Sequence, residues 1–445
     1  VPMVEAEQLT FRYPGKPTDV LTDVTFTLRD GRTLITGASG SGKSTLFAMM
    51  NRLYPDNCDG IVTGKLRLFD RSYETYGPGE VNRRVGTVFQ DPDSQFVMQT
   101  VEEELIFTLE NFQVDREAMM GRIEAMLQTL HLSKYRHRRI HDLSGGEKQQ
   151  IAVACALVGR PEWLLLDEPL AHLDPETAAR FVRWLDVAAR TVNVVVIDHR
   201  PSLWGSFFDR QIELQTGCII NDRPFTPRPD YEFEPIQMPR TDDLLFHIPK
   251  INRETFELAA SDLTVAAGEV VAILGRNGSG KSTWLKSLAR NHRDVGLVPQ
   301  SPAHLFITGE VTRELAYGHD RPIDELLTRL GLETLRDAHP LSLSHGQKRR
   351  LAIGVMMLSG KRLIAFDEPT AGQDESSLRA LHQLMAERAR EGQAVLFVTH
   401  DLSFARTANT YYLMRDGKLS GPYDTSLWDD ADLLQAHGLL TEGTG

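Results

Sequence analysis

The sequence predicts a mixed α/β chain in which one domain design occurs twice, and three observations carry that prediction. A glycine-rich loop, Gly37-Ala38-Ser39-Gly40-Ser41-Gly42-Lys43-Ser44-Thr45, returns as Gly275-Arg276-Asn277-Gly278-Ser279-Gly280-Lys281-Ser282-Thr283. Leu143-Ser144-Gly145-Gly146-Glu147-Lys148 returns as Leu343-Ser344-His345-Gly346-Gln347-Lys348, and Leu166-Asp167-Glu168-Pro169 as Phe366-Asp367-Glu368-Pro369. The spacings also recur: 23 residues separate Ser144 from Asp167 and Ser344 from Asp367, while Glu168 to His199 is 31 and Glu368 to His400 is 32. Self-similarity at this level identifies a duplicated domain.

Taken in chain order, residues 33–36 form a short apolar run that ends at the first glycine loop, and the loop opens a helix over 44–50. Residues 116–130 show helical periodicity ahead of Leu143. The continuous apolar runs at 164–166 and 194–197 read as strands buried on both faces of a parallel sheet. The second half repeats the order, with a strand at Val270–Leu274 and helices at 282–289 and 323–330. One difference stands out. Lys43 precedes Gln90 by 47 residues, but Lys281 precedes Gln300 by only 19, which predicts a second half trimmed of β structure just after its loop. Between the halves, residues 222–240 hold Pro224, Pro227, Pro229, Pro235 and Pro239. Proline lacks an amide donor and favours extended backbone, so this stretch is expected to be a semi-rigid linker. The predicted domains are therefore 1–221 and 241–445.

Composition excludes several classes. With 41% hydrophobic and 25% charged residues, the chain has ordinary globular usage and is not a disordered polymer. Its 49 basic and 61 acidic residues leave a net charge of −12, against a nucleic-acid partner or a primary attachment to anionic lipid, both of which call for a basic footprint. Cys58, Cys155 and Cys218 lie far apart, in no zinc or disulfide pattern, which fits a reducing compartment. No apolar run approaches the roughly 18 residues that span a bilayer. Val1-Pro2 before Met3 is read as an expression scar and no signal peptide is expected, so any work at a membrane is expected from outside the bilayer.

The recurring residues define chemistry. A GxxxxGK[ST] loop between strand and helix turns successive N–H groups inward as an anion nest, adds the helix dipole, and brings a lysine to the terminal phosphates. Ser44 and Ser282 are positioned to ligate Mg²⁺. Asp167 and Asp367 end apolar strands, where a carboxylate reaches the metal, and Glu168 and Glu368 follow as candidates to orient attacking water. His199 and His400 each end a later apolar strand.

This order of phosphate loop, glutamine, signature, strand-Asp-Glu and strand-His resembles the ATP-binding cassette (ABC) ATPases over nearly the whole chain, twice. The resemblance implies two tandem P-loop NTPase domains, each with a RecA-like core and a helical subdomain, that pair head to tail around ATP and Mg²⁺. It implies one site from Gly37, Ser39, Gly40, Ser41, Gly42, Lys43, Ser44, Thr45, Gln90, Asp167, Glu168 and His199, completed by Ser344, His345 and Gly346. The other combines Gly275, Asn277, Gly278, Ser279, Gly280, Lys281, Ser282, Thr283, Gln300, Asp367, Glu368 and His400 with Ser144, Gly145 and Gly146. Glu168, His199, Glu368 and His400 are the implied catalytic residues; Ser44, Gln90, Asp167, Ser282, Gln300 and Asp367 are the implied metal ligands. Asp174 and Asp374 are expected to cross the interface. Tyr13 resembles the family's adenine-stacking aromatic, with ordinary strand packing as its other reading, and Phe246 is a weak counterpart in the second half. His345 stands where the family has glycine, as the first half keeps Gly145. This is expected to be a tolerated variant that leaves both sites competent, and any slowing is expected at the first.

Within that family, Gln90-Asp91-Pro92-Asp93-Ser94-Gln95-Phe96 followed by Thr100-Val101-Glu102-Glu103-Glu104 is similar to the corresponding region of energy-coupling factor (ECF) transporter ATPases. That likeness implies a peripheral motor on the cytoplasmic face of the cell membrane, driving uptake of a vitamin or metal ion. Its expected partners are an integral coupling protein and a substrate-binding membrane protein. Asp93, Glu102, Glu103 and Glu104 are expected to meet basic residues of the coupling protein. The motor of a conventional ABC importer or exporter is the second reading, and a soluble non-transport ABC ATPase the third.

Overall fold

The structure is a computed structural model that describes residues 3–38, 40–56, 59–171, 173–227, 233–236, 243–253, 256–319, 322–343, 345–371, 373 and 375–439. The predicted positions Ser39, Ser344 and Asp374, and residues 228–232 and 237–240 of the proline-rich stretch, lie outside these. The chain divides into two units, Val1–Leu173 with Thr177–Asp230, and Tyr231–Gly445 with Asp174–Glu176.

The first unit is built on a six-stranded sheet in the order Cys218–Pro224, Arg210–Gln215, Arg32–Gly37, Asn193–Ile197, Trp163–Asp167, Val85–Val88. All neighbours are parallel except the Cys218–Pro224 hairpin strand. The apolar runs read from the sequence are these central strands, and alternate residues serve opposite faces. Trp163, Leu165, Val195 and Ile197 pack with Phe47 and Met49 on one face, while Leu164, Leu166, Val194 and Val196 pack with Phe181 and Leu185 on the other.

The second unit repeats the sheet in the same order: Lys418–Tyr423, Thr410–Arg415, Val270–Leu274, Ala394–Thr399, Leu363–Asp367, Val295–Val298. Its strands likewise split their side chains, with Val271, Ile273, Ala365 and Leu396 on one face and Ala272, Leu274, Phe366 and Phe397 on the other.

The halves differ in their outer β layer, as the short Lys281-to-Gln300 interval predicts. The first has a four-stranded antiparallel sheet ordered Leu21–Leu28, Val4–Arg12, Ile61–Leu68, Arg71–Ser72. In the second, Asp243–Ile248 pairs only with Ser261–Ala266 among the described residues, and Ile251–Arg253 pairs separately with Phe256–Leu258. The interval is filled by the helix Lys281–Asn291 and the strand Val295–Val298, so no chain remains for counterparts of Ile61–Leu68 and Arg71–Ser72. Leu244, Phe246 and Ile248 face the core, while Leu245 is 70% exposed.

Each unit also has a helical region. In the first it comprises Val101–Asn111, Arg116–Thr129 and Gly145–Val158; in the second Val311–Ala316, Asp324–Arg329 and His345–Leu358. Two first-half helices start at capping boxes, Thr100 with Glu103 and Ser144 with Glu147, which satisfy amide groups that a helix start leaves unpaired.

Candidate functional site

Both glycine loops sit where the central strand meets its helix. In the first, Gly37, Gly40 and Gly42 take φ of 148°, 79° and 96°, a region that side-chain-bearing residues seldom occupy. A Cβ on Gly42 would lie 2.8 Å from the Val20 carbonyl and 2.7 Å from Leu21 Cδ2, so glycine is required there on two counts. Lys43 Nζ folds back to donate to the Gly37 and Ala38 carbonyls, both at 2.8 Å. The second loop repeats this geometry: Gly278 and Gly280 have φ of 81° and 106°, and Lys281 Nζ donates to Gly275 O at 2.6 Å and Arg276 O at 3.0 Å. Asn277 lies in the turn, and Ser282 and Thr283 are half-buried in the first turn of the helix. The hydroxyls of Ser41 and Ser279 are both buried with no hydrogen-bond partner. A buried hydroxyl left in this state is costly, and in an anion nest its natural acceptor is a phosphate oxygen.

The acidic pairs end their strands as expected. Glu168 and Glu368 both have positive φ, 43° and 49°, although neither is glycine. Each is pinned by its own amide, which donates to Ile197 O at 2.8 Å and to Val398 O at 3.0 Å respectively. In the first half Gln90 Nε2 donates to Glu168 Oε2 at 2.8 Å, and His199 Nδ1 lies 3.5 Å from Glu168 Oε1. In the second half Lys281 Nζ lies 3.5 Å from Glu368 Oε1, and His400 Nδ1 lies 3.1 Å from Oε2.

The carboxylates of each pair are pushed apart in acidity. Burial, with Glu168 beside it, raises Asp167 from 3.8 to about 7. Burial also works on Glu168, but His199 and Lys43 outweigh it and hold that carboxyl below its ordinary range. The second half repeats the split: burial raises Asp367, while His400 and Lys281 overcome burial at Glu368 and bring it to about 2. Ser282 Oγ donates to Asp367 Oδ1 at 2.6 Å, so a hydroxyl and a buried carboxylate converge beside the phosphate loop. That all-oxygen donor set suits Mg²⁺. Ser44 is exposed at the equivalent helix start.

Ser144 caps the helix Gly145–Val158: its hydroxyl accepts from Glu147 N at 3.4 Å, and Glu147 Oε2 accepts from Ser144 N at 2.8 Å. A Cβ on Gly145 would meet nothing closer than 3.8 Å, whereas one on Gly146 would come within 2.6 Å of Thr177 Cγ2. The first position of this signature therefore has room for a side chain, and the second is crowded in the first half only, since a Cβ on Gly346 would meet Gln373 no closer than 3.6 Å. Asp174 lies in the loop that leads into the helix Pro175–Ala188.

Tyr13 stands beside the first loop, with its hydroxyl 3.0 Å from Thr45 Oγ1 and 3.1 Å from the Tyr54 hydroxyl. Phe246, by contrast, is a core residue packed edge-on to His292 at 5.1 Å. The sequence candidate for a second-half base platform is thereby corrected, since strand alternation turns Phe246 inward.

The four acidic residues expected to meet a partner are already engaged. Asp93 lies 2.7 Å from Lys148 Nζ, Glu102 2.6 Å from Arg136, and Glu103 completes the capping box. Glu104 is buried and accepts from Val97 N at 2.9 Å and Met98 N at 2.7 Å. Glu314 does the same in the second half, accepting from Ile307 N at 3.1 Å and Thr308 N at 2.7 Å. Sequence reasoning missed this clamp, although its signal was present: Glu104 and Glu314 each lie 14 residues after the loop glutamine. The clamps hold out Val97 and Ile307, which are 64% and 65% exposed. Beside Gln95 in the first half lies a groove of about 840 Å³, lined by Phe96, Phe107 and Phe112 together with Glu80, Asn82 and Arg83.

With this geometry in place, the chain belongs to the ABC transporter family, whose model matches residues 21–171 and again 258–371. It is an ABC-type ATPase with two tandem ABC domains, and such domains bind ATP. Among its relatives, a Bacillus subtilis (strain 168) protein named "Putative HMP/thiamine import ATP-binding protein YkoD" is 32% identical, over 94% of this chain and 91% of its own. A "Putative ABC transporter ATP-binding protein" of Treponema denticola is 29% identical, over 93% of this chain and 96% of its own. In fold, the chain is similar to an archaeal ribosome recycling factor, aABCE1, solved in complex with the ribosomal stalk protein aP1. The TM-score is 0.65 and the identity 22%, over 96% of this chain and 92% of the other. No helix among the described residues is long and apolar enough to cross a membrane.

Proposed function

We propose that this chain is the ATP-driven motor of an ECF-type importer that takes up a small vitamin, with a thiamine-type compound as the cargo its B. subtilis relative suggests. The observation that carries the transport reading is the groove beside the Gln90 loop, a trough of about 840 Å³ with Phe96, Phe107 and Phe112 in its walls and Glu80, Asn82 and Arg83 along it. A trough of that kind suits a short amphipathic helix from an integral membrane partner.

In this reading the halves close head to tail on two ATP molecules. Lys43 and Lys281 turn from loop carbonyls to the phosphate oxygens, and the buried hydroxyls of Ser41 and Ser279 gain acceptors. Mg²⁺, when bound, draws off charge on the β and γ oxygens, and Ser44, Gln90, Asp167, Ser282, Gln300 and Asp367 are the residues that would hold it. Glu168 and Glu368, kept ionised by His199 and His400, align the attacking water and draw its proton. His199 and His400 also hold the γ-phosphate, and Ser144, Gly145, Gly146, Ser344, His345 and Gly346 close over it from the opposite half. Asp174 and Asp374 lie across that interface, and Tyr13 stacks on the base.

Purification of the chain from its native membranes in mild detergent, with mass spectrometry of what accompanies it, tests the assignment. Recovery of one coupling protein and small integral proteins that bind a vitamin supports it. Recovery of ribosomal proteins or DNA overturns it and leaves the ATPase chemistry standing.

A further inference from the structure

Arg349 is almost fully buried, at 2% exposure, and lies on the helix His345–Leu358 that carries the second signature. Its guanidinium reaches three backbone carbonyls in two other segments. Nη1 donates to Glu368 O at 2.8 Å and Ala371 O at 3.1 Å, and Nη2 donates to Gln300 O at 2.8 Å. One side chain thus ties the signature helix both to the loop glutamine and to the turn that begins at the candidate catalytic Glu368. Burial lowers the guanidinium to about 10, with Glu368 and Asp367 opposing the fall, so it remains charged at neutral pH.

The first half braces the same places differently. The position equivalent to Arg349 is Gln149, which is buried and whose Oε1 has no hydrogen-bond partner. The turn after Glu168 is held instead by Arg200, next to His199, through Nη2 to Leu170 O at 2.5 Å. The signature helix meets the glutamine loop through a partly exposed ion pair, Lys148 with Asp93 at 2.7 Å. In the second half Ala303 occupies the place of Asp93, and Asp401 that of Arg200. The brace on the Glu368 turn has therefore moved from the histidine loop to the signature helix.

We propose that Arg349 is a positioning residue for hydrolysis at the second site, transmitting the position of its signature helix to Gln300 and to the backbone of Glu368. This rests on the reading of Glu368 as the residue that aligns water. The mechanism is geometric. Glu368 is held at a φ of 49°, which a non-glycine residue keeps only when its surroundings enforce it. Arg349 fixes its carbonyl while the Val398 carbonyl fixes its amide. Planar, two-armed donation is what arginine supplies and lysine does not.

The test uses the full chain and compares wild type with Arg349→Gln, the first half's residue, and Arg349→Lys. ATPase rate is measured against ATP concentration, and ATP-induced stabilisation is read by thermal melting. Arg349→Gln is expected to lower kcat to about half if the sites turn over independently, and further if they are coupled, with KM within about twofold and the ATP-induced Tm shift retained. Arg349→Lys, which keeps the charge and is expected to fold even if the glutamine variant does not, should fall between. An unchanged kcat in either folded variant overturns the proposal, as does a loss confined to KM. The underlying reading is checked separately with Glu168→Gln plus Glu368→Gln: turnover persisting in that double variant would defeat the assignment of the glutamates, whatever Arg349 does.

Discussion

Glu168 and Glu368 share a backbone conformation that is rare for their residue type, with φ of 43° and 49° at the ends of equivalent strands. The amide of each donates to the carbonyl of the penultimate or final apolar residue of the neighbouring strand, Val398 or Ile197. Strain of this kind persists where the surroundings over-determine it, and it concentrates at functional sites. Its appearance twice, at residues separately singled out by their spacing, links the two halves chemically as well as by sequence.

Replacing both glutamates with glutamine keeps their shape and removes the base. ATP hydrolysis should fall by about 100-fold or more, the usual contribution of a positioned general base, while ATP binding persists. A phosphate-release assay alongside a nucleotide-binding titration separates the two. Turnover close to wild type would remove the glutamates from the mechanism.

Asp167 gives a pH signature. Its carboxyl is raised from 3.8 to about 7 in the folded chain, so the unfolded chain releases this proton first and the ionised form disfavours folding. The penalty is absent below about pH 3.8, grows as pH rises, and is complete above about 7. Asp167→Asn should therefore raise the melting temperature of the nucleotide-free, metal-free protein at pH 8 and do so progressively less toward pH 5. A gain that is constant across that range would contradict the assignment.

Glu104 holds the loop that presents Val97. Changing it to alanine removes the acceptor that the part-buried bonds from the Val97 and Met98 amides share, at a net cost of about 0.5–1.5 kcal/mol each. A lower melting temperature is expected, with a loss of partner binding greater than the loss of basal ATPase activity. Glu314→Ala should do the same in the second half, where Ile307, Thr308 and the Thr308 hydroxyl depend on it.

The halves are expected to grip a membrane partner unequally. Phe96 lies in the wall of the groove beside an acidic, ion-paired loop, while Phe306 follows Ser301-Pro302-Ala303-His304-Leu305 and has no acidic pair ahead of it. Alanine at Phe96 should weaken co-purification of the partner more than alanine at Phe306. Equal losses would count against this.

Much of this was legible in the sequence because the chemistry sits on strand ends and tight loops. Gly42 could be read as a glycine position because phosphate loops need left-handed backbone, and Asp167 as a strand-end acid because four apolar residues precede it. The loss of outer strands in the second half followed from the residues missing after Lys281. Long side chains that reach across the fold were not legible. Arg349, Arg200 and Glu104 act through carbonyls and amides far away in sequence, and nothing in their local spacing shows where a guanidinium or carboxylate will end. For the same reason Glu102 and Asp93 looked free, and Phe246 looked available until strand register turned it inward.

The trimmed outer layer has a practical consequence. Among the described residues, Asp243–Ile248 is hydrogen-bonded along one side only, and its outward Leu245 is 70% exposed. Such a strand is a growth point onto which another copy can zip, amide to carbonyl. A laboratory fragment of the second half should therefore self-associate and precipitate as its concentration rises. Placing lysine at Leu245 is the simplest way to keep it in solution, since the side chain points away from the core.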